Sequence, residues 1–234
     1  MGGSEHGQPV GDAVPGWTGC PAPGPVVLEG RWVRLEPLTL AHARDLHAAT
    51  AGPGREATWT YLAQEMPPTL QAFERYVAQR AATPGLVSLA VLPAGRSAEG
   101  VVSLMRADPA QGVVEVGSIV LGPSLQRTTA ATEAMWLLAR HVFALGYRRY
   151  EWKCDALNAP SRAAAARLGF RYEGTFRHAL VYKGRNRDTA WFSITDRELP
   201  GLVPAYEHWL DPANFTDPET GTGQRLRLSS LTVP

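Results

Sequence analysis

The stretch Glu115-Val-Gly-Ser-Ile-Val-Leu-Gly-Pro-Ser-Leu-Gln-Arg-Thr-Thr-Ala-Ala-Thr-Glu133 carries the most chemistry per residue in this chain. A strand pattern runs into a turn, and the helix that follows opens on small and hydroxyl residues. The first backbone N–H groups of a helix lack an intrahelical partner and sit at the positive end of its macrodipole. A phosphate reaches them only where the side chains are small. Gln126-Arg-Thr-Thr-Ala-Ala131 meets that condition, with Arg127, Thr128 and Thr129 as extra donors beside the small Ala130. A diphosphate cradle and an ordinary threonine-capped amphipathic helix both fit these residues, and the segment alone leaves the two open.

Little else in the chain has the spacing of a site. His42, His47, His141, His178 and His208 stand without metal-ligand spacing or Cys/Asp companions, so no metal is expected. Cys20 lies in a Gly/Pro-rich leader and Cys154 in an apolar strand, which reads as two reduced thiols rather than a disulfide. Nothing beside Cys154 suggests an activated thiolate, so an acyl-cysteine route is set aside. Trp136 and Trp152 fall inside regular elements and read as packing.

The elements that must position these residues follow from periodicity. Alternation over 31–36 predicts a strand, closed by Pro37; Thr39 can cap a helix to about 50, and a second helix spans about 69–82. Strand patterns at 86–92, 99–107 and 112–121 are separated by short Pro/Gly/Asp turns, which makes them antiparallel neighbours. Ala131, Ala134, Met135, Leu138, Val142 and Leu145 then recur at helical spacing until Gly146. A strand at 148–154, an Ala-rich helix at 159–168 closed by Gly169, and strands at 170–181 and 188–195 follow. The resulting order is β-α-α-β-β-β-α-β-α-β-β. Its strand–helix–strand unit requires 112–121 and 148–154 to be parallel. The organisation is one mixed α/β domain over 28–198, preceded by a flexible Gly/Pro-rich tail at 1–27 and followed by a short helix and polar tail at 199–234.

Composition narrows the class. With 234 residues, 44% hydrophobic and 19% charged, the chain can build one sizeable core. A net charge of +1 with scattered basic residues argues against a nucleic-acid partner. No run approaches the ~18 apolar residues of a membrane span, and the N-terminus lacks a secretory pattern, so a cytoplasmic protein is expected.

Two separated motifs then resemble one family. Gln126-Arg-Thr-Thr-Ala-Ala131 is similar to the diphosphate motif of the GNAT superfamily of N-acetyltransferases, with Thr129 at the usual glycine position. Asp155-Ala-Leu-Asn158-Ala-Pro-Ser161, followed by Arg-Leu-Gly-Phe170-Arg-Tyr-Glu-Gly174, resembles the signature of its ribosomal-protein-alanine acetyltransferase (RimJ/RimL-like) subgroup. The resemblance covers about 28–198.

It implies a GNAT fold, α/β with a mostly antiparallel seven-stranded sheet, helices on both faces and a central parallel pair splayed at a bulge near Gly117-Ser118. Acetyl-CoA would enter that split. Main-chain groups of Ile119 and Leu121 would hold the pantetheine arm, and the Ile119 N–H would polarise the thioester carbonyl. Residues 126–131 would hold the diphosphate and Asn158 a pantetheine amide. Glu115 falls where relatives keep a general base. Ala165 occupies the position of the tyrosine acid used by many relatives, which leaves Ser161 as the group for the departing thiolate. Trp59 and Tyr61 lie in the connection that forms the acceptor wall in relatives. The implied reaction is direct acetyl transfer to a primary amine, a protein N-terminus or a small molecule, in a ternary complex, with a homodimer left open. A non-catalytic acyl-CoA sensor and a plain scaffold remain the rivals.

Overall fold

The computed structural model describes residues 2, 3 and 6–232. Its main sheet has eight strands: β1 (Leu28–Glu29), β2 (Val33–Pro37), β3 (Val87–Pro93), β4 (Gly100–Asp108), β5 (Val113–Leu121), β6 (Arg149–Asp155), β7 (Arg171–Tyr182) and β8 (Arg185–Thr195). The spatial order is β1-β2-β3-β4-β5-β6-β8-β7. Every neighbouring pair is antiparallel except β5 with β6. The seven expected strands are present, and the additional two-residue β1 pairs with the β2 edge.

The helices are α1 (Ala43–Thr50), α2 (Leu70–Ala82), α3 (Thr129–Ala144), α4 (Ala159–Arg167), α5 (Leu199–Trp209) and the single turn α6 (Ser229–Thr232). Their starts are chemically marked. Thr69, Thr128 and Asn158 each cap the helix that follows by accepting the backbone N–H three residues on. A 3-10 turn, Leu40–His42, occupies the beginning of the expected first helix.

Alternation along the strands feeds two cores. Leu89, Val91, Val102, Leu104, Val114 and Val116 point to one face, beneath α3 and the chain's C-terminal elements. Ala90, Val101 and Val120 point to the other, against Leu46 of α1 and Phe73 and Val77 of α2. Within β5 the even-numbered residues change faces between Val116 and Val120, while Ile119 and Leu121 pack on the first core. One inserted residue does this, because side chains alternate with a period of two.

The end regions differ from the expected tails. Trp17 donates its indole N–H to Ala110 O at 2.8 Å and lies under the Arg148 guanidinium; the Cys20 N–H donates to Pro109 O. Beyond α5, β9 (Phe215–Asp217) and β10 (Thr222–Gln224) form a hairpin. Phe215 is 2% exposed and meets Trp32 and Trp209 edge-on, and Leu228 is also buried. The C-terminal polar stretch is thus folded onto the body, because single apolar residues inserted in it find holes beside Trp32. Such isolated anchors leave no periodic pattern.

Candidate active site

The parallel ladder between β5 and β6 runs from Val113–Arg149 to Val116–Trp152 and stops. On its other side, β5 pairs Gly117 with Ser103 and then Val120 with Val101, so two residues, Ser118 and Ile119, face Val102 alone. Ser118 has a left-handed backbone, φ 49°. The bulge and the parting of the strands coincide, since a strand kinked by an extra residue cannot continue a straight ladder. Two flexible side-chain ends also crowd the space beside Gly117. A Cβ there would lie 2.7 Å from Met105 Sδ and 2.9 Å from Glu115 Oε1.

The gap opens into a cavity of about 1650 Å³. That exceeds the roughly 300–1,000 Å³ of an ordinary small-ligand pocket and leaves room for two molecules. Among its walls are Glu115, Ile119, Leu121, residues 126–131, Asn158, Ser161 and Tyr61. The structure therefore brings together every expected residue except Trp59. Trp59 is 2% exposed, donates its N–H to Thr50 O at 2.8 Å and packs edge-on against Phe73 and Tyr76. It is a core residue under α2 rather than a wall of the cavity. Tyr61, two residues on, does reach the wall and donates its hydroxyl to Leu157 O at 3.2 Å.

At the mouth, Arg127 takes φ 63° and Thr128 caps α3, its hydroxyl oxygen accepting from Ala131 N at 3.1 Å. Gln126 Nε2 donates to Leu121 O at 2.9 Å, so that carbonyl already has an internal partner. Thr129 donates its hydroxyl proton to Gly221 O at 2.6 Å. A Cβ on Gly221 would stand 3.0 Å from Thr129 Cβ, so the β9–β10 hairpin sits directly on α3 and its residues 219–224 line the cavity. This accounts for threonine where the motif has glycine: the side chain anchors the hairpin.

Deeper in, Glu115 is buried with two cations on one oxygen. Arg106 Nη1 lies 2.7 Å and Lys153 Nζ 3.0 Å from Oε2. Lys153 also pairs with Glu151 at 2.8 Å and stands 3.7 Å above the Trp191 ring. Arg149 extends the chain of charges from Glu151 to Glu173, holding the Glu173 carboxyl below its usual range. Sequence reasoning missed Lys153 and Glu151. Alternation in β6 was the available signal, since Tyr150, Trp152 and Cys154 are core residues while Glu151 and Lys153 must face the other way.

On the opposite wall, Ser161 Oγ accepts the Trp152 indole N–H at 3.0 Å and keeps its own proton to donate. Asn158 Oδ1 accepts the Ser161 N–H at 3.1 Å as the cap of α4. Burial pushes the neighbouring Cys154 thiol up. Among the described residues there is no cluster able to hold a metal ion, and no helix is long and apolar enough to cross a membrane.

A family model described as an acetyltransferase (GNAT) domain matches residues 33–171. A GCN5-related N-acetyltransferase from Brucella melitensis is 45% identical with a TM-score of 0.89, over 94% of this chain and 99% of that one. A probable GNAT-family acetyltransferase from Chromobacterium violaceum is 36% identical with a TM-score of 0.77, over 82% and 98%. A Salmonella typhimurium acetyl transferase that modifies the N-terminal serine of 50S ribosomal subunit protein L7/L12 shares the fold, at 19% identity and a TM-score of 0.64, over 73% and 99%. None of the curated proteins compared matches the chain.

Proposed function

The chain belongs to the GNAT acetyltransferase family and is an acyl-CoA-dependent acetyltransferase, and from that premise we propose that it moves acetyl from acetyl-CoA to a primary amine by direct attack in a ternary complex. The acceptor class comprises protein N-termini and small amines. The observation that carries the reading is the end of the β5–β6 ladder at Val116–Trp152, beside a bulge and above a helix opening on small residues.

Acetyl-CoA supplies the activated acyl group. Ile119 and Leu121 offer main-chain groups to its pantetheine arm, with Gln126 yielding Leu121 O, and Asn158 supports the same arm. The amides at the start of α3, with Gln126, Arg127, Thr128, Thr129, Ala130 and Ala131 around them, hold the diphosphate. The Ile119 N–H stabilises the charge that gathers on the thioester oxygen, a contribution of about 3 kcal/mol to the barrier. Glu115 Oε1 faces the bulge and receives the proton of the attacking ammonium, directly or through water. Ser161, oriented by Trp152, donates to the departing thiolate. Tyr61 forms part of the acceptor wall. A buried Cys154 with its thiol pushed up supports transfer without a covalent enzyme intermediate.

A sensor that binds acyl-CoA without turnover is the second reading, favoured by the double ion pair on Glu115 and by Ala165 in place of a tyrosine. The deciding experiment is thiol release from acetyl-CoA with a panel of amines and ribosomal proteins, the latter followed by intact mass. The enzyme reading expects amine-dependent release that drops in Glu115→Gln and Ser161→Ala. Binding of acetyl-CoA with release no faster than hydrolysis for every amine leaves the sensor.

A further inference from the structure

Arg80 is the one buried arginine of α2 and it sits on that helix's apolar stripe, with Val77 and Phe73 one and two turns before it. Only 7% of it is exposed. A buried cation is costly unless its N–H groups are matched. Among the described residues no carboxylate pairs with Arg80; neutral oxygens surround it instead. Nε donates to Ser88 Oγ at 3.2 Å, Nη1 to Tyr76 Oη at 2.6 Å and Nη2 to Ser103 Oγ at 2.9 Å. Ser88 and Ser103 are cross-strand partners, and their hydroxyls stand 2.7 Å apart. The remaining acceptor is the carbonyl of Ser118, the left-handed residue of the bulge, which accepts from Nη2.

That last contact sets the direction of a neighbouring group. The peptide between Ser118 and Ile119 is planar and trans, so its C=O and N–H point opposite ways. Fixing the Ser118 carbonyl on Arg80 aims the Ile119 N–H away from α2. Ile119 lies outside the paired residues on both flanks of the shift and lines the cavity. The cation also polarises that peptide, which strengthens the N–H as a donor.

We propose that Arg80 is a positioning residue for acetyl transfer: from beneath the sheet it holds the Ser118–Ile119 peptide so that the Ile119 N–H is pre-aimed at the thioester oxygen. The proposal rests on the enzymatic reading above. It also explains why an arginine on α2 meets two serines of the sheet where aliphatic residues would pack.

The test compares wild type, Arg80→Lys and Arg80→Met, each checked for fold by circular dichroism. Two readouts are taken: kcat and KM for acetyl-CoA, and the infrared carbonyl stretch of bound acetyl-CoA carrying a carbon-13 label. Arg80→Met is expected to lower kcat roughly 10- to 100-fold, part of the roughly 10²–10³ that deleting an oxyanion donor costs, with KM nearly unchanged. The label's frequency, lowered in the wild type relative to water, returns toward the water value. Arg80→Lys recovers part of both effects. Ser103→Ala, which removes one anchor of the guanidinium, gives the same changes in smaller measure and serves where Arg80→Met does not fold. An unshifted carbonyl stretch in these variants overturns the proposal, as does a loss confined to melting temperature and KM. If the wild type releases no thiol with any amine, the enzymatic reading fails, while the carbonyl frequency still decides the role of Arg80.

Discussion

The Trp152–Ser161 pair permits a quantitative test of how the thiolate side of the cleft works. Trp152 is 6% exposed, and its indole N–H reaches Ser161 Oγ at 3.0 Å. The bond leaves Ser161 one proton to donate, with the Cys154 thiol as its neighbour inside the protein. A hydrogen bond to a charged group is worth about 1.5–3 kcal/mol, so Ser161→Ala should lower kcat about 10- to 150-fold. The orienting bond is neutral and worth about 0.5–1.5 kcal/mol, so Trp152→Phe should lower kcat about 2- to 13-fold. Trp152→Phe also removes buried ring area packed on Phe170, at a folding cost of the order of 1–2 kcal/mol. Because Trp152 acts through Ser161, the two effects should not multiply. The double variant should match Ser161→Ala in steady-state kcat, measured by thiol release at saturating amine. A double variant slower by the product of the single effects would refute the orienting role.

Further expectations come from side chains away from the reacting atoms. Glu133 accepts the backbone N–H groups of Arg31 and Trp32 at 2.8 and 2.7 Å, so Glu133→Gln faces one donor with another and should cost about 1–3 kcal/mol in urea unfolding. Glu173 is held below its usual pKa, first by its hydrogen bonds with Arg149. That contribution to stability is present above the unfolded-state value of about 4.3 and lost as pH falls through the lowered folded value. Glu173→Gln should therefore flatten the acid limb of a plot of melting temperature against pH. Thr129→Val leaves Gly221 O without its 2.6 Å partner and should speed amide exchange of β10 relative to the central strands, read by mass spectrometry.

The parts of the site legible in the sequence are those where local chemistry and long-range geometry agree. Gly117 followed by Ser118 marks a kink because glycine relieves the backbone where an extra residue breaks the ladder. The start of α3 is marked by Thr128, whose capping needs only its own neighbours. Ser161 and Asn158 are within one helical turn and position each other. The illegible parts depend on residues distant in the chain. Arg80 falls in register with Phe73 and Val77, but the oxygens that match it lie on β4 and β5 and are supplied only by long-range packing. Glu115 meets Lys153 only through the parallel pairing of β5 and β6. Trp59 has the composition of a pocket aromatic, but Thr50 and the α2 aromatics claim it for the core. The hairpin at 215–224 is polar by composition, and only the space beside Trp32 makes Phe215 an anchor.

The most direct measurement is a crystal structure of the protein with acetyl-CoA. The pantetheine arm is expected between 117–121 and 153–155, bonded to the main chain of Ile119 and Leu121, with the diphosphate at the start of α3 and the thioester oxygen on the Ile119 N–H. An acyl chain bound outside the gap, or strands drawn together beyond Val116 and Trp152 with the diphosphate elsewhere, would contradict it.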